Sequence, residues 1–412
     1  MVSAETLQTV TATAPILAEQ GELLTRHFYD RMFRENPEVK PFFNPAHQVS
    51  GKQQKALAAA ITSYATHLGE PEKLADAVAL IAHKHGSLGV LPEHYPIVGA
   101  NLLAAIQEVL DIPAEHPVVV AWGEAYQALA ELMIAQEEAL YQERDREHGS
   151  RGFAPFSVQR KVVESETITS FYLTPKPGTG RRLGAYLPGQ YLTLRLPTAA
   201  GSTTMRNYSL SGPCHEQHYR ISVKRETAVV GPCGYASNRL HDHIHEGDSV
   251  EVGGPYGVFT WQDAGPVKPL VLLSAGVGIT PILAILHAAT AETARPRDIL
   301  FIHATQHSGV HAFRDEVAAI AERYPRLRVR TCYDTPRPGD ADLADVIGRV
   351  DSLPLAKLIP DRDVDAYFCG PMPFMIHARG LLTDLGVSTD QQHYECFGPL
   401  ESLDTAPSGC PV

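Results

Sequence analysis

No uninterrupted apolar run in this 412-residue chain reaches the ~18 residues that a membrane-spanning helix needs. The amino terminus, MVSAETLQTV, lacks the basic stretch and apolar core of a signal peptide. Together these absences predict a cytoplasmic protein without a membrane span. Cysteine is scarce: Cys214, Cys233, Cys332, Cys369, Cys396 and Cys410 are scattered, and none shows the spacing of a zinc knuckle. Reduced thiols are therefore expected. Cations are in deficit, with 35 Lys and Arg against 47 Asp and Glu and a formal net charge of −12. Such a balance excludes nucleic acid and anionic membrane as main partners, because both require clustered Lys and Arg. Internal repeats, low-complexity segments and a G-x-G-x-x-G fingerprint are also missing.

What is present divides by texture. The length suggests about three domains. Residues 1–148 are rich in Ala, Leu, Glu and Gln and keep a helical period, broken at Asn36-Pro37, Gly69-Glu70-Pro71, Leu91-Pro92 and His116-Pro117. They predict an all-α domain of about six or seven helices. The charged run QERDREHGSRG at 142–152 reads as a linker. Residues 151–262 then carry short alternating β-branched runs between Pro and Gly turns, which suit an antiparallel β-barrel. Over residues 267–400 strands alternate with helices, as in an α/β domain with a parallel sheet. Residues 401–412 read as a flexible tail.

The first domain puts polar residues on apolar stripes. In a helix over 74–88, Leu74, Val78, Ile81 and Leu88 form one stripe and His85 falls on it, while His83, about 200° round from Ile81, should face solvent. His85 taken alone reads equally as a hydrogen-bonded core histidine. Other intrusions accompany it. Tyr29 lies with Leu24, Phe28, Met32 and Phe33; Gln53 leads Leu57, Ile61 and Tyr64; Tyr95 begins Val98, Leu102, Ile106 and Val109; and Glu137 sits between Met133 and Leu140. A carboxylate so placed needs a partner, because burying it alone costs several kcal/mol. Five intrusions in one small domain point to a shared polar site in an apolar pocket.

HFYDRMF, the Phe42-Phe43 pair, GKQQKAL, IAHKHGSLGV with PEHYPIVG, and AWGEAY resemble a bacterial globin domain, in the form found in flavohaemoglobins, and the resemblance runs over the whole chain. It implies haem b with His85 as proximal iron ligand. It places Tyr29, Gln53 and Leu57 in the distal pocket with Phe43 against the porphyrin, and Tyr95 and Glu137 behind His85. A carboxylate and a phenol aimed at the ring N–H would make the imidazole a stronger donor to iron. Lys84 would stand near the haem edge, although a solvated surface lysine fits the spacing as well.

The remainder resembles the ferredoxin-reductase-like pairing of a flavin barrel with a pyridine-nucleotide domain. LPGQYLTL, MRNYSLS, YRISVKRE and GYASNRLH follow in that order. The resemblance assigns FAD to Gln190, Tyr191, Arg206, Asn207, Tyr208 and Ser209, with Ser237 and Asn238 as phosphate donors; a plain helix cap is the alternative for the last two. In VLLSAGVGITPILAIL, Gly276, Val277, Gly278, Ile279, Thr280 and Pro281 form a strand-to-helix turn able to present N–H groups to a diphosphate, with Thr280 as cap and Pro281 at the first helical position. A structural turn is its alternative. Cys369, Gly370 and Pro371, with Cys396, Gly398 and Pro399, are assigned to the nicotinamide side, and a buried structural thiol is the alternative for Cys369. Glu395 and Phe397 share one face of HYECFGP and would border the flavin.

Two stretches depart from the family pattern: extra residues in RETAVVGPCGYASN, around 227–234, and the tail LESLDTAPSGCPV. No arginine follows ILFIHATQ to meet a 2′-phosphate, which favours NADH over NADPH. The expected activity is that of a monomeric nitric oxide dioxygenase acting on O2 and NO. An O2 or NO sensor or store, and a general flavin reductase, are the alternative readings.

Overall fold

The computed structural model describes residues 2–149, 151–198, 201–214, 217–227, 234–292, 294–359 and 361–398. It forms two compact units, 1–153 with 193–206, and 154–192 with 207–412.

The helical part comprises α1 (Ala4–Glu19), α2 (Gly21–Glu35), α3 (Pro45–Val49), α4 (Lys52–His67), α5 (Ala75–Leu88), α6 (His94–Leu110) and α7 (Pro117–His148). Local chemistry sets the ends: Ser3 caps α1 through the Thr6 N–H, α5 stops at Gly89 with φ +78°, and Pro117 opens α7 behind the His116 cap. Seven α-helices among the described residues of this part match the expected six or seven. The linker reading of 142–148 does not hold, since α7 continues to His148 and ends at Gly149 with φ +72°. Buried Arg144 pairs with Glu143 at 2.9 Å and Glu147 at 3.3 Å, so the mixed charges there support a helix. Helix α7 is the one described helix long and apolar enough to cross a bilayer. Glu137, Arg144 and His148 are buried on it, and it packs against α1, α5 and α6, so it is a core helix of this domain.

The buried apolar residues of this domain fall into two clusters, with Tyr126 packed against both. One cluster gathers Leu24, Phe28, Tyr29, Met32, Leu102, Ile106 and Trp122, and a separate one gathers Ala82, Tyr95, Ala130 and Met133. Phe43, Leu57, Ile61 and Val98, packed against the first cluster, and Ile81, packed against the second, are only partly buried. A close-packed domain leaves such side chains half-covered around a cleft.

The next stretch carries β1 (Ala154–Val163), β2 (Ile168–Pro175), β3 (Tyr191–Pro197), β4 (Thr203–Ser209), β5 (Tyr219–Lys224), α8 (Tyr235–His243) and β6 (Ser249–Val252), in the sheet order β4-β3-β6-β1-β2-β5. The β1–β2, β1–β6 and β2–β5 pairs are antiparallel, as expected. Phe156, Val158, Phe171, Leu173, Tyr219, Ile221 and Val223 are buried at alternating positions.

The last stretch runs β7 (Leu270–Ala275), α9 (Ile279–Ala291), β8 (Ile299–Thr305), α10 (Arg314–Arg323), β9 (Leu327–Tyr333), β10 (Val346–Ile347), α11 (Leu355–Leu358), β11 (Asp365–Cys369), α12 (Met372–Asp384) and β12 (Gln392–Glu395). Its pairs are parallel in the order β10-β9-β8-β7-β11-β12. The strand order reverses at β7, whose carboxyl end therefore opens the crevice where such sheets bind ligands.

Candidate functional site

Helices α5, α6 and α7 bring His85, Tyr95 and Glu137 together. His85 Nδ1 donates to Glu137 Oε1 at 2.7 Å, and the Tyr95 hydroxyl donates to the same oxygen at 2.5 Å. Glu137 is 2% exposed, so its charge rests on these donors. Burial, with the carboxylate next, pushes the Tyr95 phenol far above its ordinary value, and it stays a donor. With Nδ1 committed as an N–H, the free lone pair of His85 is at Nε2, the tautomer a metal requires. A single imidazole would serve an iron already held by a prosthetic group, since the described residues hold no cluster of three or more His, Cys, Asp or Glu suited to a bare ion.

Two residues of this support escaped the sequence reading. Tyr126 donates to the Tyr95 carbonyl at 2.6 Å with its ring against Gly99, and Tyr141 donates to the Val90 carbonyl at 2.6 Å. Both extend the α7 stripe of Trp122, Met133, Glu137 and Arg144 at helical spacing. His83 departs from the expected solvent-facing position. It is half-buried near Arg144 and Glu143, and burial lowers its basicity. Lys84, one residue from His85, is exposed.

In the other cluster Tyr29 is 5% exposed, with ring contacts to Phe43 at 5.6 Å and Phe33 at 5.7 Å. Burial raises its phenol well above the ordinary value, and the Gln53 side chain hydrogen-bonds it, partly opposing the rise. The phenol is therefore a fixed donor at neutral pH. Gln53 Oε1 is buried with no protein partner. Two buried clusters, a histidine presenting Nε2 and an orphaned amide oxygen fit a haem that His85 would hold, with Tyr29, Gln53, Leu57 and Phe43 as candidate pocket residues.

The flavin candidates lie mainly on β3 and β4. Gln190 accepts the Leu187 N–H at 2.9 Å through its side chain and the Leu210 N–H at 2.9 Å through its carbonyl, which ties the turn before β3 to the end of β4. Tyr191 is 8% exposed against Gly257. Arg206 is held by Thr204 Oγ1 at 2.9 Å and the Met205 carbonyl at 2.7 Å, while Asn207 and Tyr208 are half-buried and Ser209 is buried. Ser237 and Asn238 are not caps: α8 begins after Gly234, and both side chains bond the Gly234 carbonyl at 3.0 Å. Beside them Arg239 Nε is buried without a partner, an orphan that fits an anionic ligand such as the FAD diphosphate at α8. Residues 228–233, within the departure from the family pattern, lie outside the described residues, as do Pro399 and the tail.

At the nucleotide edge, Gly276 has φ +52° and open space where a side chain would stand, while the Cβ of any residue at Gly278 would come 2.1 Å from the Cys369 carbonyl oxygen. The turn is thus pressed onto β11 and open above, a shape that could seat a diphosphate. Three details differ from expectation. Helix α9 starts at Ile279, which makes Pro281 its third residue; Thr280 Oγ1 donates to the Val277 carbonyl at 2.9 Å and accepts no helix N–H; and β12 stops at Glu395, leaving Phe397 beyond it and 49% exposed. Cys369 is fully buried, and burial pushes its thiol well up. Gly370 and Pro371 lead from β11 into α12, Cys396 is half-buried and Gly398 exposed. All four described cysteines are free thiols.

The same edge holds a neutral histidine pair. His303 bonds Ser274 Oγ at 2.9 Å, His311 bonds the Tyr333 hydroxyl at 2.8 Å, and the two rings lie 4.9 Å apart. Burial, helped by Arg314 and opposed by Asp315, lowers His311 to about 4, and His303 is lowered further by burial and by His311. A folded pKa below the unfolded 6.5 means that only the unfolded chain takes the proton between those values, so stability is complete above pH 6.5 and falls towards pH 4. His311 alone should remove about 3 kcal/mol across that window. Thermal unfolding of the reductase lobe measured from pH 7 to pH 4.5 should show a steep loss that His311→Gln flattens.

These features define a class: a haem globin joined to a flavin- and pyridine-nucleotide-dependent reductase. Family models match in chain order, Globin at residues 26–133, Oxidoreductase FAD-binding domain at 155–261 and Oxidoreductase NAD-binding domain at 272–380. The chain is 46% identical to a flavohemoprotein of Rhodopirellula baltica, covering 98% of this chain and 99% of that one, and 48% identical to a flavohemoprotein of Pseudomonas aeruginosa, covering 96% and 98%. The crystal structure of a flavohemoglobin from Malassezia yamatoensis with bound FAD and heme superposes with a TM-score of 0.84 at 26% identity, over 96% of this chain and all of that one. The flavohem-like FAD/NAD-binding domain of a nitric oxide dioxygenase from Vibrio cholerae matches 60% of this chain and 99% of its own, at 34% identity and a TM-score of 0.53. The chain belongs to the flavohemoprotein family.

Proposed function

We propose that this chain is an NADH-dependent nitric oxide dioxygenase, and the observation that carries it is the buried Glu137 holding the imidazole of His85 as an N–H donor in a chain that also contains an electron supply. When bound, haem supplies an iron for dioxygen chemistry and FAD converts the two-electron hydride of NADH into the single electrons that iron accepts. The balance is two NO and two O2 with one NADH, giving two nitrate, NAD+ and one proton.

The protein's own contributions follow from geometry. Glu137 and Tyr95 fix the His85 tautomer and raise its donor strength, which favours oxygen activation over simple storage. The Tyr29 phenol, kept protonated by burial, supplies a hydrogen bond to negative charge in the distal cleft. Gly276 and Gly278 shape the diphosphate cradle. The preference for NADH is supported by Gln306 and His307 after β8, where a 2′-phosphate would need a cation, and by the engagement of Arg337 with both oxygens of Glu166. The reaction is assigned to a monomer in the cytoplasm, with O2 and NO as its small-molecule partners. Aerobic NADH oxidation with metered NO should proceed at two NO per NADH with nitrate as product. A sensor would consume no NADH in proportion to NO, and a general reductase would consume it regardless of NO; either result rejects the assignment.

A further inference from the structure

The outward face of β5 and β2 is unusual for a sheet that meets another lobe. It carries Arg220 beside Tyr172, and Ser222 beside Ser170, at paired positions. Arg220 is 7% exposed, and a buried guanidinium is costly unless its donors are matched. Two of its three nitrogens are matched from the nucleotide domain: Nη1 and Nη2 donate at 2.8 Å to the two oxygens of Glu316 on α10, while Nε is buried without a partner. Glu316 also bonds His287 of α9, and although burial opposes it, these two partners hold the carboxyl down at about 2. The guanidinium lies 5.1 Å from the Phe313 ring that precedes α10.

The other end of Arg220 reaches the flavin strand. Nη2 also donates to the carbonyl of Ser211, two residues beyond Ser209, and the Ser211 N–H donates back to the Arg220 carbonyl at 2.9 Å. Ser211 is fixed further by a buried hydroxyl ladder, Ser211–Ser222 at 2.7 Å and Ser222–Ser170 at 2.7 Å. Strand β5 also packs against the Gly276–Gly278 turn. One side chain therefore joins the end of the flavin strand to the helix that follows β8, beside the cradle for the nucleotide diphosphate.

We infer that Arg220 and Glu316 are positioning residues for hydride transfer, holding the nicotinamide-binding lobe at a fixed reach from the flavin strand. This rests on the NADH-to-FAD reading above. Arg220 and Glu316 spend their polar atoms on each other, on His287 and on the Ser211 carbonyl, so their role is one of placement. The fork geometry matters because two parallel N–H···O bonds fix orientation as well as distance, which a lone lysine or amide does not. Hydride transfer falls steeply with donor–acceptor misplacement, so a small rotation of one lobe reads out in the limiting rate rather than in nucleotide affinity.

The test is anaerobic stopped-flow reduction of the flavin by NADH in the full-length holoprotein. Glu316→Gln keeps the shape and one acceptor but removes the charge, and should lower the limiting reduction rate by about tenfold or more with little change in the NADH concentration giving half-maximal rate. Arg220→Lys should fall between it and the wild type, and the exchange pair Arg220→Glu with Glu316→Arg should recover part of the loss. The charge-transfer absorbance of the NADH–flavin pair should weaken in parallel, while the spectrum of the dithionite-reduced CO complex stays unchanged. If Glu316→Gln and Arg220→Lys reduce flavin at the wild-type limiting rate, or lose only affinity, the positioning role is overturned. If NADH fails to reduce the wild-type flavin, the function proposed above is overturned together with this inference.

Discussion

His85→Ala protein should purify with FAD but without a haem Soret band, and its NO consumption should fall to the buffer rate, while NADH-driven reduction of an artificial flavin acceptor survives. Ligand number decides this outcome. The described residues show a single imidazole in the cleft with Nδ1 committed and Nε2 free, and no cluster able to replace it. Glu137→Gln gives a graded version. An amide at that position still accepts the Tyr95 hydroxyl and the imidazole N–H, so haem should remain bound. The negative charge that strengthens the imidazole is gone, and turnover should drop about 10- to 100-fold, the range for a partner one shell from a metal. The iron–histidine stretching frequency should fall in the same variant. A passenger globin would show the spectroscopic change without the drop in turnover, since NADH oxidation would then be indifferent to both substitutions.

The sequence made this half of the site legible because its support is periodic. Tyr95, Glu137 and His85 each interrupt an apolar stripe, and the 3.6-residue repeat alone brings the polar atoms to one face of each helix. Where that repeat was not followed to its end the reading faltered. The α7 stripe runs on through Arg144 and His148, so the presumed linker is helix, and Tyr126 and Tyr141 stand on it unassigned. The angle on its own helix points His83 outward, yet it is half-buried and feels Arg144 and Glu143 at the charged end of α7. The Arg220–Glu316 bridge left no local mark. Its partners lie 96 residues apart in different lobes, and an arginine on an alternating strand reads as solvent-facing until the neighbouring lobe is in place. Thr280 shows the reverse limit: residue type and turn position suggested a cap, but its hydroxyl is used by the Val277 carbonyl.

The glycine turn between β7 and α9 yields the second large effect. Gly278→Ala should reduce kcat/KM for NADH by about 100-fold or more, while haem content and CO binding of the dithionite-reduced protein remain normal. Gly278 has an ordinary negative φ of −60°, so an alanine there suffers no backbone strain. The obstacle is the approach: an added Cβ would stand 2.1 Å from the Cys369 oxygen, 2.4 Å from the Cys369 carbonyl carbon and 2.6 Å from the Gly370 nitrogen. All three are backbone atoms at the end of β11, a strand paired on both sides by β7 and β12, so none can yield as a flexible side-chain tip could. The turn must move instead, by roughly an ångström to restore van der Waals distance. That displacement opens the cradle, and it shifts the diphosphate site relative to the nicotinamide side at Cys369–Pro371. Gly276 offers the internal control. Its positive φ of +52° makes alanine unfavourable by about 1 to 2 kcal/mol, yet nothing lies within 4 Å of the new Cβ, so Gly276→Ala should cost stability and bind NADH more weakly without closing the crevice. Equal and total loss of NADH oxidation in both variants would mean that the turn acts through its backbone conformation and not through its contact with β11.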